Sequence, residues 1–310
     1  MAVLWQLSVV EFHEHTLISG VVLHRNCPVI RASAPLWRVF LSTLKTYFRQ
    51  PYGRQNIIIE SGGQKLLTQT DKAGGFWLET DQPVSKALKV YLDGKEAPLP
   101  VCQSYPVYQP DSPFPLAVIS DIDDTILVSY TANFLKRLRA LFFVSPHKRQ
   151  PVSFTGSLLA AVHRQQGRIF YVSKSESNLF GVLTAIIQHH ALPPGHLFLT
   201  SYLRLGQLLK PKKGRNYKDQ RIKKVLDNTP DKNFILLGDD TQRDMAIYTE
   251  IARQYPDRIK KIYIRRTFKN LSAKKKGHLN RLQELPVPVV YFADTDNVEK
   301  EIMTIENYAL

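Results

Sequence analysis

A chain of 310 residues with 44% hydrophobic and 22% charged residues has the material for two domains and a sizeable core. Its 15 glycines, 19 prolines and lack of any repeat or low-complexity block exclude fibrous and largely disordered classes. The formal net charge of +15 is concentrated in three stretches: residues 131–153 hold five Lys or Arg and no acid, 201–224 hold nine and one acid, and 258–276 hold nine and none. A field of this kind attracts phosphate-bearing partners, whether a lipid surface, nucleic acid or a small phosphorylated metabolite.

The amino terminus, MAVLWQLSVVEFHEH, has neither a basic n-region nor a small-residue cleavage site, so no secretory signal is expected. Apolar runs such as ALFFV and NFILLG fall far short of the roughly 18 residues that span a bilayer. The two cysteines, Cys27 and Cys102, form no disulfide framework and fit a reducing compartment. A soluble, cytoplasmic globular protein is expected. From residue 17 to about 109 the text is strand-like (LISGVVLH, QNIIIE, QKLLTQT, GGFWLET, ALKVYLDG), with turn signals at Ser61-Gly62-Gly63, Gly74-Gly75 and Asp93-Gly94. One stretch, 36–48, carries apolar residues at helical spacing. These features predict a small antiparallel β-sandwich over 1–113. The proline-rich PLPVCQSYPVYQPDSPFP closes it as an extended linker.

Beyond residue 113 the pattern changes. LAVIS (116–120), RIFYVS (168–173), NFILLG (233–238), KIYIR (261–265) and VPVVYF (287–292) are short and apolar, and helical stretches such as 156–166, 178–190, 218–227 and 244–254 separate them. That alternation predicts a doubly wound parallel α/β sheet over 114–310, with ligands bound beyond the carboxyl ends of its strands. Three of the strands end in residues suited to phosphate chemistry: Asp121, Asp123, Asp124 and Thr125 after the first, Ser173 after the second, and Asp239, Asp240 and Asp244 after the third. Carboxylates gathered at one sheet edge raise one another's pKa unless a cation holds them ionised, and oxygen ligands without paired His or Cys point to Mg²⁺. Lys218, at the start of a predicted helix, is placed to counter phosphate or carboxylate charge.

The order Asp-x-Asp-x-Thr, strand-Ser, Lys, Gly-Asp-Asp…Asp resembles the four motifs of the haloacid dehalogenase (HAD) superfamily. The longer strings ISDIDDTI, VSFTG, FYVSKSESNL and FILLGDDTQRDMAIYTEIARQYPDRIKKIYIR are similar to the phosphatidate phosphatase catalytic domain of the yeast actin-patch type, over about 114–270. More loosely, TDKAGGFWLET looks like the TD..G.F element of the same family. The family commonly reads SxSPWNL, a His-Lys pair and GDSGQxD. Here these are SKSESNL, Tyr217-Lys218 and GDDTQRD, which puts Ser175, Glu176, Ser177 and Asp240 at the expected substrate rim.

The resemblance implies an HAD-like Rossmannoid core and a Mg²⁺-dependent phosphomonoester hydrolase. Asp121 would be the nucleophile and Asp123 the general acid and base, its backbone carbonyl helping to hold the metal. Ser173 and Lys218 would bind phosphate oxygens, and Asp239 would share the metal with Asp121 while Asp244 supports it or orients Lys218. Thr125 would shape the loop; Asp124 and Asp240 read equally as helix or turn caps and as metal ligands. The spans from Asp121 to Ser173 and from Ser173 to Lys218 are largely consumed by core elements, so a small cap or none is expected. A basic amphipathic helix over 131–149 would lie beside the open site and contact an anionic, phosphatidate-bearing membrane peripherally. A phosphatase of nucleic-acid ends or phosphoproteins, and a non-catalytic phosphatidate-binding module, are the alternatives.

Overall fold

The computed structural model describes residues 2–24, 36–123, 125, 153–207, 216–241, 243–268 and 270–309. The basic segment 131–149 and Asp124 lie outside the described residues. The structure is mixed α/β and divides into two compact units, one of 1–111, 175–186 and 199–213, the other of 112–174, 187–198 and 214–310.

In the first unit, β1 (Ala2–Glu11) pairs antiparallel with β2 (Thr16–His24). Helix α1 (Leu36–Tyr47) follows, then β3 (Asn56–Ser61), β4 (Gln64–Gln69), β5 (Gly75–Thr80), β6 (Lys89–Leu92) and the short β7 (Tyr108–Gln109). The strands form two sheets, ordered β5-β2-β1-β7 and β4-β3-β6. All pairings are antiparallel except that of β1 with β7. Leu4, Leu7, Val9, Ile18, Val22 and Phe76 of one sheet share an apolar cluster with Ile57, Ile59, Val90 and Leu92 of the other. The strand-rich text was expected to start at residue 17, and β1 is an addition: its eight central residues are all buried, so it lacks the polar alternation that marks a half-exposed strand. The TD..G.F element is a turn device. Asp71 Oδ1 accepts from the N–H groups of Ala73 and Gly75 at 2.7 and 2.9 Å, and Gly74 sits at φ 75°, where an added Cβ would lie 2.5 Å from the Val22 carbonyl oxygen. Phe76 then enters the core. Cys102 is disulfide-bonded, so the cysteine count carries no argument for a reducing compartment.

The second body of strands is a six-stranded parallel sheet, formed by β8 (Leu116–Ser120), β9 (Ile169–Glu176), β10 (His196–Thr200), β11 (Asn233–Asp239), β12 (Ile259–Arg265) and β13 (Val289–Phe292). Its order is β10-β9-β8-β11-β12-β13. Helices α2 (Ser153–Arg164), α3 (Phe180–His189), α4 (Tyr217–Asp227), α5 (Asp244–Gln254), α6 (Ala273–Gln283) and α7 (Glu299–Glu306) alternate with the strands. The chain steps from β8 outward through β9 to β10, then returns to β11 on the other side of β8. That reversal makes the ends of β8 and β11 a topological switch point, the place where open α/β sheets bind ligands. Strand β10, the HLFLT segment, was not anticipated from sequence. No helix among the described residues is long and apolar enough to cross a membrane.

Candidate active site

Backbone register brings the three motif-bearing strand ends together. Ser120 of β8 lies opposite Tyr171 of β9 and Leu237 of β11, so Ser173 and Asp239 each stand two residues past those pairs, flanking the loop that begins at Asp121. The Asp121 N–H continues the ladder to the Leu237 carbonyl at 2.9 Å. The strands are near-continuously apolar and buried, which fixes this edge rigidly.

The edge holds a buried acidic centre. Carboxylate oxygens of Asp121, Asp239 and Asp244 all lie within 4.8 Å of one another, and Asp239 and Asp244 have no exposed surface. Asp244 opens helix α5. Lys218, from the first turn of α4 and also fully buried, donates to Asp244 Oδ1 at 2.6 Å and stands 3.2 Å from Asp121 Oδ1. Its ammonium lies 5.6 Å from the centre of the Tyr248 ring, and the Tyr248 hydroxyl donates to the Leu237 carbonyl at 2.7 Å. Gly238 provides the space: a Cβ there would lie 2.9 Å from Asp244 Oδ2 and 2.7 Å from the Tyr248 ring.

Burial pushes the Asp121 carboxyl well above the usual carboxylate range; the neighbouring Lys218 works in the opposite direction, and Asp244, Asp239 and Asp123 add to the upward push. Asp239 is raised to about 7, first by burial and then by Asp244, although Thr241 opposes the rise by donating both its N–H and its hydroxyl to Asp239 Oδ1. For Lys218, burial favours the neutral amine, but Asp121, Asp244 and Tyr248 outweigh it and hold the ammonium charged.

The residues present fit a hard divalent cation. Three buried carboxylates face one buried ammonium, which leaves two negative charges uncompensated. Asp121 Oδ2 and Asp244 Oδ2 are buried without a hydrogen-bond partner among the described residues. A buried carboxylate oxygen left unpaired costs several kcal/mol, and an all-oxygen donor set suits Mg²⁺.

The other expected positions distribute around this centre. Asp123 is buried, and its charge reaches Asp121, but its carboxylate is not one of the convergent three. Ser173 is fully buried within β9, which runs three residues past the expected strand end to Glu176. The Thr125 hydroxyl donates to Asp239 Oδ2 at 3.5 Å, a loop-shaping contact. Asp240, expected at the substrate rim, has no exposed surface. Its Oδ1 accepts from the Thr267 N–H at 3.1 Å and from the Thr267 hydroxyl, and its Oδ2 accepts from the Tyr291 hydroxyl at 2.7 Å. Ser175, Glu176 and Ser177 are likewise buried, within the first unit: Glu176 accepts from the Tyr47 hydroxyl at 2.7 Å, and the Ser177 carbonyl accepts from the Trp5 indole at 2.7 Å. They hold structure where the motif alignment suggested substrate contact.

Two residues near the centre carried no role in the sequence expectations. Tyr248 follows Asp244 by one helical turn, a spacing that places both on one face of α5. Lys174 directly follows Ser173. Burial lowers its amine, while Asp244 and Asp121 pull it up and Lys218 and Arg243 push it down, so it stands in the field of the acidic centre.

Comparison with known proteins agrees with this geometry. The family described as "Phosphatidate phosphatase APP1, catalytic domain" matches residues 116–266. The Saccharomyces cerevisiae protein named phosphatidate phosphatase APP1 is 30% identical over 202 residues, which is 63% of this chain and 34% of the yeast protein. A Schizosaccharomyces pombe protein described as uncharacterized is 23% identical over 177 residues, 55% of this chain and 28% of that protein. The chain thus spans about a third of the length of these relatives. Among solved structures, the Pnkp1/Rnl/Hen1 complex matches at 12% identity over 67% of this chain and 57% of that one, with a TM-score of 0.34, too low to carry a fold assignment. Residues 116–266 are thus similar to the catalytic domain of APP1-type phosphatidate phosphatases, and the motif residues within that match converge at one sheet edge.

Proposed function

We propose that the chain is a phosphoric monoester hydrolase of the HAD type that converts phosphatidate to diacylglycerol at a membrane surface, using Mg²⁺ and an aspartyl-phosphate intermediate. The observation that carries the reading is the pair of buried carboxylate oxygens on Asp121 and Asp244 that lack a hydrogen-bond partner among the described residues, in a centre where three carboxylates face the ammonium of Lys218. When bound, a divalent cation there would neutralise the acids and polarise the phosphoryl oxygens.

The chain's own residues would divide the chemistry. An Asp121 oxygen attacks phosphorus in line, and the bond from phosphorus to the ester oxygen breaks as Asp123 delivers a proton to that oxygen. Asp123 then takes a proton from water, whose oxygen displaces the Asp121 carboxylate from phosphorus and releases inorganic phosphate. Lys218 holds Asp121 and Asp244 in place and, with Ser173, offers hydrogen bonds to the phosphoryl oxygens; Lys174 adds positive potential at the mouth. Fixing these groups on buried strand ends holds the site to the tight geometry that in-line transfer needs.

In this reading residues 114–310 form the catalytic domain and 1–113 a separate β-sandwich, and the protein works from the cytoplasm as a peripheral membrane enzyme. Phosphatidate is the substrate named for the yeast relative, and the strongly basic chain suits an anionic bilayer.

The deciding experiment measures Mg²⁺-dependent phosphate release from phosphatidate vesicles, a phosphorylated oligonucleotide and a phosphopeptide, with Asp121→Asn as the control. Release from phosphatidate alone, lost in the variant and on chelation, is the expected result. Release from the oligonucleotide or peptide in preference to phosphatidate overturns the lipid assignment, and release that survives Asp121→Asn overturns the nucleophile.

A further inference from the structure

The N-terminal ends of helices α5 and α6 border an open cavity of about 660 Å³ that the hydrolytic reading leaves unused. Arg243, Ser272, Lys274, Lys275 and His278 line it, over an apolar floor of Met245 and Ala246. Four of these seven residues are Lys, Arg or His, and none is acidic. Lys275 is partly committed: its ammonium donates to the Thr241 carbonyl at 3.2 Å and lies 3.9 Å from the centre of the Phe268 ring. Among the described residues, no carboxylate forms an ion pair with Arg243, Lys274 or His278. His278 is pushed below the usual imidazole range by burial and then by Arg281, Lys274 and Arg243, so the electrostatic neighbours that act on it are all cationic.

Convergent cations around a recess, with no acid among them, leave positive potential for a ligand to satisfy. A volume of 660 Å³ far exceeds a lone phosphate ion and falls within the roughly 300–1,000 Å³ typical of pockets for small organic ligands. The apolar floor suits the carbon skeleton of such a ligand, and the basic rim suits its phosphates, which accept charge-assisted hydrogen bonds from Lys and Arg. Among the described residues the lining holds no Phe, Tyr or Trp, and His278 is its one aromatic side chain.

We propose that this cavity is a second phosphate-binding site, separate from the acidic centre, for an organic ligand carrying more than one phosphate negative charge, either a soluble phosphate ester or the headgroup of a phosphorylated lipid. It does not rest on hydrolysis. The cavity is linked to the acidic centre through Lys275, which bonds the carbonyl of Thr241, itself a donor to Asp239, and which feels the charges of Asp240 and Asp239.

The test uses the full chain in EDTA. Without a divalent cation the three carboxylates repel phosphate, so binding at the acidic centre is suppressed while binding at the cavity is not. Pyrophosphate is titrated calorimetrically, and in parallel the protein is sedimented with phosphatidylcholine vesicles with and without phosphatidylinositol 4-phosphate. Wild type is compared with Lys274→Ala/His278→Ala, and with Lys276→Ala, which removes the same charge outside the lining. A loss of at least about tenfold in affinity in the double variant, against less than about twofold in Lys276→Ala, is the expected result. If the difference appears with pyrophosphate, the ligand is soluble; if only with vesicles, it is a lipid headgroup. Equal behaviour of all three proteins in both arms, no binding in either, or a difference confined to competition by a single-stranded oligonucleotide overturns the site. Should the double variant fail to melt like wild type, Lys274→Gln, at an exposed position, makes the same comparison.

Discussion

The acidic centre and the basic cavity are built from neighbouring stretches of one polypeptide, yet they treat charge in opposite ways. Asp239 and Asp244 serve the first; Arg243, Met245 and Ala246, interleaved with them in sequence, serve the second. In the centre, burial is the largest influence on Asp121 and Asp239 and favours their protonated forms, so ionised carboxylates there require a cation. At the cavity, Arg243 and Lys274 are exposed, and neither forms an ion pair among the described residues. Burial turns charge into a demand for a specific ligand, whereas exposure leaves it as a field that steers one. On α5 the division follows helical geometry: Asp244 and Tyr248, four residues apart, share the buried face.

The sharpest way to break the comparison is at the nucleophile. Asp121→Asn should lower phosphate release by about 10³-fold or more, because residues acting as one catalytic unit fail together. Its thermal midpoint should not fall, since a neutral amide relieves the burial that raises the Asp121 carboxyl. A variant that loses both activity and stability would show the carboxylate holding the fold. Asp244→Ala should cost stability as well as activity. It leaves Lys218 buried with only the 3.2 Å contact to Asp121, and breaking a buried pair costs about 3–5 kcal/mol. Urea denaturation of the metal-free chain measures this; a loss under about 1 kcal/mol would mean that Lys218 finds another partner or sheds its proton.

Metal and proton should compete at Asp239. Its folded pKa of about 7 lies above the ordinary carboxyl value of 3.8, so between the two the metal-free folded state holds a proton that the unfolded chain has released. Its contribution to stability is therefore present at low pH and is lost as pH rises toward about 7. A divalent cation reverses the loss where the carboxylate is ionised. At a hundredfold excess over its dissociation constant, Mg²⁺ should add about 2.7 kcal/mol, roughly 5 °C or more in melting temperature, at pH 8 and clearly less at pH 6. Equal shifts at the two pH values would remove Asp239 from the ion's ligands.

How much of this was legible in sequence depended on whether neighbouring residues share a fate. The parallel strands were readable because buried strands are apolar throughout, and Asp121, Ser173 and Asp239 because each ends such a run. Strand β1 was missed because it too is buried along its length but lies outside the alternating grammar, and β10 because HLFLT is short and opens on a histidine that the fold buries. The burial of Ser175, Glu176 and Ser177 was not legible because their partners, Tyr47, Thr200 and Trp5, come from distant segments that no local pattern reveals. The cavity was hidden for the same reason: the 274–276 lysine run reads as solvated surface until α6 is set beside Arg243.

Asp239 and Asp240 give the finest version of the contrast. They are adjacent acids, both fully buried, and at a strand end with its two-residue period they point to opposite sides. One joins the convergent carboxylates; the other is satisfied by Thr267 and Tyr291, whose hydroxyl is pushed upward by burial and then by this bond. Asp240→Asn keeps an oxygen for Thr267 but replaces the acceptor of the Tyr291 hydroxyl with an amide that can only donate. That should cost about 1–2 kcal/mol in denaturant stability. The Mg²⁺-induced rise in melting temperature at pH 8 should be unchanged, because Asp240 neither faces the ion nor shares its charge with the trio. If Asp240→Asn abolished that rise while Asp239→Asn preserved it, the assignments of the two acids would have to be exchanged.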